Sequence, residues 1–520
     1  MKKTFVSAAI ILMLAGFIAR LFGFAYRIFL SNLIGAEGMG VFQLVVPVYT
    51  AIILTSTAGI SIAVSKMVAE QKARNNTANT RRITACALII ELAAGTVVSL
   101  LIYLNIEKIS TGLLGDARTY LALLVIIPCI PPIVAAAALK GYFYGIQQVM
   151  PTALSQIVEQ AVKIGFVLLL AVRVSEKGVE YACAVAALSA AFGEIANLVV
   201  LTAVYIYKKR HAMKELNRGR LMRKKSIMAE LLKAAVPISA NRLVISILSA
   251  AEYILIPAML TVGGLERKSS MEVFGRLTGM ALPLILFPSL VTNSLSTTLV
   301  PAISEAVSMK NYRTMNYRIS KSIQVTFVLG MIFTAVFISY PNEVGSLIYR
   351  REKIGSLLYM LSFSCVFIYL QQTLTGVLNG LGKQGILLRN TVLGSAVRII
   401  AVCFMIPLFG IKSYIWGLTA SFMLNTFLDL LAINKITGLV FNLREWLLKP
   451  GLITVIMVFI ARYLYHFAKI FKFGDRLTTL IALTLYVLIA CFFMMITGVF
   501  RPAEIMNLVG DKKAGTVKKK

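Results

Sequence analysis

The sequence predicts an all-α, polytopic membrane protein with about fourteen transmembrane helices. Of its 520 residues, 58% are hydrophobic and 14% are charged, and the mean hydropathy is +0.82. A spanning helix needs about 20 mostly apolar residues, and its backbone groups must pair within the segment. The apolar runs of this chain are long and lack the period-two alternation of barrel strands, so helices are favoured over a β-barrel.

Fourteen apolar runs are the predicted spans. They lie near residues 5–30, 41–65, 83–105, 118–139, 153–172, 180–207, 231–258, 277–300, 322–341, 354–378, 389–408, 413–433, 451–465 and 478–499. The first run follows two lysines, as in a signal peptide. It continues through Arg20 and Arg27 without a clear small-residue cleavage site, so we interpret it as an uncleaved first span.

Membrane topology explains the net charge of +31. A basic chain suggests a nucleic-acid partner, but membrane proteins also collect lysine and arginine in their cytoplasmic loops. With the N-terminus in the cytoplasm, more than half of the lysines and arginines fall in inside segments. We therefore expect a multi-pass protein of the cytoplasmic membrane with both termini cytoplasmic. It should be attracted to anionic lipids and should need no nucleic-acid partner.

The sequence lacks the residue patterns of an enzyme or a metal protein. The six cysteines lie inside apolar runs, and no phosphate loop, His/Cys metal cluster or nucleophile elbow occurs. We therefore predict no enzymatic activity, no cofactor and no metal. A membrane transferase that uses one loop acid, such as Asp116, Glu266 or Glu343, is the alternative.

The second half of the chain echoes the first at an offset of 235 residues. One match would be noise, but several occur in the same order over about a hundred residues. The matching pairs are Ser61 and Ser296, Glu70 and Glu305, Gly141 and Gly376, Gly145 and Gly380, and Lys163 and Arg398. The sequence therefore contains an internal repeat.

The repeat predicts two six-helix lobes, at residues 1–207 and 231–433, joined by a basic cytoplasmic linker at 208–230. A helix pair at 434–499 and a basic cytoplasmic tail at 500–520 follow. Because six is an even number of spans, both lobes have the same orientation and are related by a pseudo-two-fold axis along the membrane normal. This is an architecture of transporters, in which a central cavity opens alternately to the two sides.

Cations inside the predicted spans are the candidate binding site. A charge at mid-bilayer costs about 2.5–3.5 kcal/mol on insertion scales, so it needs a partner or a hydrated cavity. The repeat places one cation at equivalent positions of the two lobes, and the first span of each lobe adds arginines. The predicted cavity suits a multiply charged anion such as phosphate. Its residues are Arg20, Arg27, Lys163, Arg242 and Arg398.

Other intramembrane charges have different interpretations. Glu252 is predicted to bind a proton or sodium ion that couples transport. Glu159 and Lys163 stand four residues apart on one helix face, and the alternative is that they neutralise each other. Three side chains lie close enough to a span end to reach the interface instead. These are Arg27, Asp429 and Arg462.

Five segments resemble the polysaccharide-biosynthesis exporters, and more narrowly the stage V sporulation protein B branch. They are 19–27 (ARLFGFAYR), 33–40 (LIGAEGMG), 58–61 (AGIS), 275–283 (GRLTGMALP) and 376–383 (GVLNGLGK). The resemblance implies the fold of the multidrug/oligosaccharidyl-lipid/polysaccharide exporters. It also implies flipping of undecaprenyl-pyrophosphate-linked precursors such as lipid II, for spore cortex or other envelope glycan, with a cationic cavity around the pyrophosphate.

The resemblance carries site residues over for Arg20 and, more loosely, for Arg27. The related lipid II flippases have an arginine followed by an acid at the positions of Tyr26 and Arg27. They also have a basic residue in the second span, whereas this chain has none between Pro47 and Ile60. A lipid-linked glycan flippase is the leading hypothesis, with envelope-synthesis proteins as potential partners. The alternatives are a proton- or sodium-coupled antiporter of multidrug or small-cation type, and a non-transporting scaffold.

Overall fold

The computed structural model describes residues 2–174, 178–211, 221–349, 351–439, 446, 448–470 and 474–496, and these residues contain helices and no β-strand. The predicted all-α class is therefore confirmed. The chain forms two compact units. The first unit comprises residues 1–280 and 402–408, and the second comprises residues 281–401 and 409–520.

The first unit consists mainly of long helices. These are α1 (Lys2–Ala73), α2 (Thr77–Leu104), α3 (Tyr120–Ile126), α4 (Ile130–Gly145), α5 (Met150–Val174), α6 (Val179–His211), α7 (Lys224–Val262) and α8 (Arg267–Gly275). Single 3₁₀ or π turns extend or join them. These are Lys108–Leu113, Ala117–Thr119, Ile127–Cys129, Arg276–Ala281 and, later in the chain, Ala401–Met405.

The second unit contains shorter helices at its beginning. Its helices are α9 (Leu282–Leu286), α10 (Ser289–Ser308), α11 (Tyr312–Ser339), α12 (Pro341–Ile348), α13 (Gly355–Ser362), α14 (Cys365–Gly380), α15 (Gln384–Ile400), α17 (Ile411–Thr437), α18 (Lys449–Ile470) and α19 (Asp475–Ile496). The short helix α16 (Ile406–Phe409) lies between α15 and α17 in the chain, and most of it belongs to the first unit. The predicted lobes follow the sequence repeat, whereas the compact units place α7 and α8 with the N-terminal helices. The lobes stay a prediction, and much of the linker and the whole tail lie outside the described residues.

Helix α1 contains two of the predicted spans. Its 72 residues would extend roughly 108 Å if they were straight, far beyond the ~30 Å of a hydrocarbon core. Gly35 interrupts it with a φ of 70°, a left-handed conformation that glycine adopts without a steric penalty. The helix therefore has two arms, which match the runs predicted at 5–30 and 41–65.

The number of spans is close to the prediction. Ten described helices are long and apolar enough to cross a membrane, or twelve if two bent helix pairs are each one span. Those pairs bend by 60° after Leu286 and by 55° after Ser362, within the runs predicted at 277–300 and 354–378. Dividing α1 at Gly35 adds one span, and the apolar α19 would add another. The count of fourteen stays a prediction.

The internal repeat recurs in the packing of each unit. In the first unit, a Cβ on Gly141 would lie 2.7 Å from the Ser61 carbonyl oxygen. In the second unit, a Cβ on Gly376 would lie 2.6 Å from the Ser296 carbonyl oxygen. Other features recur at the same offset of 235 residues. They are the N-caps Asn76 and Asn311 and the positive-φ pairs Asn75 with Lys310 and Gln147 with Gly382.

A reciprocal contact joins repeat-equivalent residues inside the first unit. A Cβ on Gly40 would overlap the Met271 carbonyl oxygen, and a Cβ on Gly275 would overlap the Ala36 carbonyl oxygen. Residues 36 and 40 correspond to residues 271 and 275 at the repeat offset. Two backbones that approach through small residues in this way pack as the small-residue interfaces of membrane helices do.

Four charged side chains tie helix ends together in the first unit. Arg118 donates to Asp116 through Nη2 at 2.8 Å and through Nε at 2.9 Å, and its Nη1 lies 2.5 Å from Glu37 Oε1. Arg267 Nη2 donates to the Gly115 carbonyl oxygen at 2.8 Å. Burial acts to raise the pKa of Asp116. The Arg118 guanidinium outweighs this effect and holds that pKa below its ordinary value.

We predict that Gly141→Ala and Gly376→Ala each lower the apparent melting temperature of the purified protein. The added methyl group must displace backbone or a neighbouring helix, at a cost of about 1–3 kcal/mol. Gly165→Ala and Gly385→Ala are matched controls, since a Cβ at either helical position meets nothing within 4 Å. The controls should stabilise the protein slightly. Equal melting temperatures for all four variants would contradict the packing described above.

We predict that Asp116→Asn lowers the melting temperature by about 2–4 °C at pH 7. A carboxylate with a lowered folded-state pKa stabilises fully above its unfolded pKa of about 3.9, and this contribution is lost as pH falls through the folded-state value. The difference from wild type should therefore shrink at pH 3. Glu266→Gln is the control, because Glu266 is exposed and has no ion pair among the described residues. A difference that does not change with pH would refute this interpretation.

Candidate functional site

Lys163 lies in an ion network between α5 and α6. Its Nζ is 2.6 Å from Glu159 Oε1 and 3.4 Å from Glu194 Oε1. Asn197 donates to the other Glu159 oxygen at 2.7 Å. Gly193 leaves room for the lysine stem, since a Cβ there would overlap it. The alternative prediction, that Glu159 and Lys163 neutralise each other, therefore describes this site. Glu194 adds a second carboxylate, which the sequence analysis did not place beside Lys163.

The first arm of α1 packs beside this network. The Tyr26 hydroxyl lies 2.7 Å from Ser189 Oγ on α6, and Gly23 lies against the side-chain amide of Gln160 on α5. Arg20 and Arg27 are two helical turns apart and therefore share one face of the arm. Arg20 is exposed and Arg27 is half-buried. Neither forms an ion pair with a described residue.

Arg242 and Glu252 both lie on α7, which packs closely on the second arm of α1. A Cβ on Gly59 of α1 would overlap the Ala235 carbonyl oxygen of α7. Arg242 is exposed, two turns further along α7, and has no carboxylate partner within the described ranges. Glu252 is only 4% exposed. The roles of Arg242 in substrate binding and of Glu252 in ion coupling therefore stay predictions.

Arg398 lies in the second unit, on α15. It donates through Nη1 to Ser421 Oγ at 2.8 Å and through Nη2 to Ser395 Oγ at 3.0 Å. The guanidinium also lies 5.9 Å from the centre of the Phe422 ring. Hydroxyl hydrogen bonds and a ring face fix its orientation.

The interpretation of Asp429 as a side chain that reaches the interface is wrong. Asp429 is 1% exposed and accepts a hydrogen bond from Asn390 Nδ2 at 2.8 Å. The sequence analysis missed Asn390, Asn197 and Ser421. A signal was available, because polar residues recur four positions apart at 421, 425 and 429 in an otherwise apolar helix. The side chain of Arg462 lies outside the described residues.

Comparisons with known proteins agree with this fold. Stage V sporulation protein B of Bacillus subtilis (strain 168) is 28% identical over 461 residues, which cover 87% of this chain and 88% of the relative. Lipid II flippase MurJ of the same organism is 27% identical over 432 residues, 77% of each chain. A solved structure of lipid II flippase MurJ in an inward closed conformation superimposes with a TM-score of 0.70 at 14% identity. That superposition covers 94% of this chain and 98% of the solved one.

The sequence profile of one family matches residues 5–307, which is more than half of the chain. The match begins in the first arm of α1 and extends through α10. Together with the all-helical fold and its candidate membrane spans, this match shows that the chain belongs to the family of polysaccharide biosynthesis proteins.

Proposed function

We propose that this protein is a flippase for undecaprenyl-pyrophosphate-linked glycan precursors of the lipid II type. It would move them across the cytoplasmic membrane by alternating access, for spore cortex or cell envelope synthesis. The observation that carries the proposal is a set of arginines on candidate spanning helices that have no carboxylate partner among the described residues. They are Arg20, Arg27 and Arg242.

The charge of these arginines favours an anionic substrate. An uncompensated guanidinium within hydrocarbon costs about 2.5–3.5 kcal/mol on insertion scales, so such residues face a hydrated space or a ligand of opposite charge. Guanidinium groups bind phosphate oxygens through two parallel hydrogen bonds. A pyrophosphate bears several such oxygens, while the polyprenyl tail of the same molecule can remain in the bilayer.

The other two predicted cations, Lys163 and Arg398, contribute differently to the proposal. Lys163 is neutralised by Glu159 and Glu194, so the proposal rests on the arginines. Arg398 is included as a phosphate ligand oriented by Ser395 and Ser421. Glu252 remains a proposed coupling site. Anionic lipids and envelope-synthesis proteins are proposed partners.

The relatives support the same substrate class. The name of the MurJ relative specifies lipid II, and its sequence is related to this chain over 432 residues. The rival function, a multidrug or small-cation antiporter, needs an unpaired carboxylate to exchange a cationic substrate for an ion. Residues 2–36 contain no Asp or Glu, and Glu37 is paired with Arg118. The first span of this chain therefore favours an anion over a cation.

We predict that wild-type protein in liposomes moves labelled lipid II to the far leaflet, and that Arg20→Ala, Arg242→Ala and Arg398→Ala each slow this by about 10-fold or more. A lost hydrogen bond to a charged group costs about 1.5–3 kcal/mol, and each 1.4 kcal/mol is a factor of ten. Arg313→Ala, an exposed arginine at the start of α11, is the matched control. Unchanged flipping in all three variants would contradict the proposed site.

We predict that the same liposomes do not exchange a cationic dye for protons or sodium ions. The substrate site proposed here is itself cationic and repels such a dye. Dye accumulation would be followed by fluorescence with each ion gradient imposed in turn. Transport of the dye that is lost in Glu252→Gln and kept in Arg20→Ala would instead support the antiporter.

A further inference from the structure

A polar ladder connects two apolar helices of the second unit. Positions 390, 394 and 398 on α15 face positions 429, 425 and 421 on α17, and each set is spaced four residues apart. Asn390 donates to Asp429 Oδ1 at 2.8 Å at one end. Ser421 donates to the Gly394 carbonyl oxygen at 2.8 Å and accepts from Arg398 at the other end.

Three polar atoms of the polar ladder are unsatisfied among the described residues. Asp429 and Asn425 are each 1% exposed. Asp429 Oδ2 and both polar atoms of the Asn425 amide are buried without a hydrogen-bond partner among the described residues. The Asn425 amide lies directly over Gly394, where a Cβ would overlap it. Buried polar atoms without partners cost about 1–3 kcal/mol each, so three of them at one place call for an explanation.

The equivalent position in the first unit shows what Asp429 lacks. At the repeat offset, Asp429 corresponds to Glu194 and Gly394 corresponds to Glu159. In the first unit the ammonium group of Lys163 lies between two carboxylates and compensates them. Asp429 has no ion pair with any described residue, and its hydrogen bond comes from the neutral Asn390. Its charge has no fixed counter-ion.

We propose that Asp429 is an exchangeable proton site. In the neutral acid, Oδ2 carries the proton and donates it to the Asn425 Oδ1 acceptor one helical turn away. This turns two unsatisfied acceptors into a hydrogen-bonded pair. The proton comes from water on one side of the membrane and returns to water on the other, and no other bond is made or broken. The proton site deepens the proposed function, because it names the ion that is coupled to transport. Only this coupling role rests on the proposed function.

A proton fits the polar ladder better than a metal cation does. Oxygen-bound cations take about six ligands in proteins, whereas the open oxygens here belong to Asp429 and Asn425. The other amide oxygen, Asn390 Oδ1, already accepts from the Arg389 guanidinium at 3.2 and 3.3 Å. That contact leaves few oxygens for a metal ion, whereas a proton needs only one acceptor.

Eight other charged or titratable residues lie on α17 and on α13, α14 and α15, the helices in most extensive contact with it. An acid in hydrocarbon is far less costly in its neutral form than as an isolated anion. The charged or titratable residues on α13, α14, α15 and α17 are Tyr359, Cys365, Tyr369, Arg389, Arg398, Lys412, Tyr414 and Lys435.

Infrared difference spectroscopy on the full-length protein in nanodiscs tests the proton site directly. The spectrum of wild type minus the spectrum of Asp429→Asn should contain a protonated-carboxyl band, and this band should disappear when the pH is raised. Wild type minus Glu194→Gln, the repeat-equivalent control, should lack this band, because Asp429 is present in both samples and Glu194 is ion-paired with Lys163. Asn425→Leu, which removes the acceptor, should shift the band toward the frequency of a free acid. Melting temperatures establish that each variant is folded, and the subtraction removes bands from other buried acids such as Glu91.

Two results would overturn the proposal. One is a wild-type minus Asp429→Asn spectrum that contains only carboxylate bands at every pH. The other is a melting temperature that rises with sodium chloride but not with choline chloride, and loses this response in Asp429→Asn, because that would identify a sodium site. Neither measurement depends on lipid II. Failure of lipid II flipping in liposomes would refute the proposed function and leave the infrared result standing.

Discussion

The hydrocarbon interior of the membrane is the constraint on which this structure depends. It offers no hydrogen-bond partners, so every backbone group in a span must be paired within its helix. The long helices of both units follow from this requirement. Interruptions occur where the chain supplies a specific reason, such as Gly35 with its left-handed φ or Pro288 beside the bend between α9 and α10. The same solvent penalises every unpaired charge.

Intramembrane charges in this chain are accommodated in three ways. Lys163 forms ion pairs with two carboxylates inside the first unit. Arg398 is held by serine hydroxyls and the face of an aromatic ring. Arg20, Arg27 and Arg242 have no carboxylate partner in the described parts of the chain. The three arrangements differ in how the positive charge is compensated within the described residues.

The internal repeat preserves the backbone packing and changes the chemistry. Glycine–serine contacts, caps and positive-φ residues recur at an offset of 235 residues, because small residues and tight turns have few substitutes at a close helix contact. The charged positions diverge. Where the first unit has Glu159, the second has Gly394, and Asp429 replaces Glu194. One half thereby carries an ion network, while the other has a buried acid without an ion pair among the described residues.

The sequence by itself determined the fold class, the approximate spans and the repeat. These depend on apolar run length and on small residues at fixed spacing, which are properties of local segments. It also identified the cations that we propose for the site, since a charge within an apolar run is conspicuous. It did not show which of them are paired. The neutralisation of Lys163 by Glu194 and the burial of Asp429 beside Asn390 were decided by the tertiary structure alone. The reason is that an ion pair depends on which faces of two helices meet. The spacing of polar residues identifies a polar face of one helix, but it does not identify the helix that this face contacts.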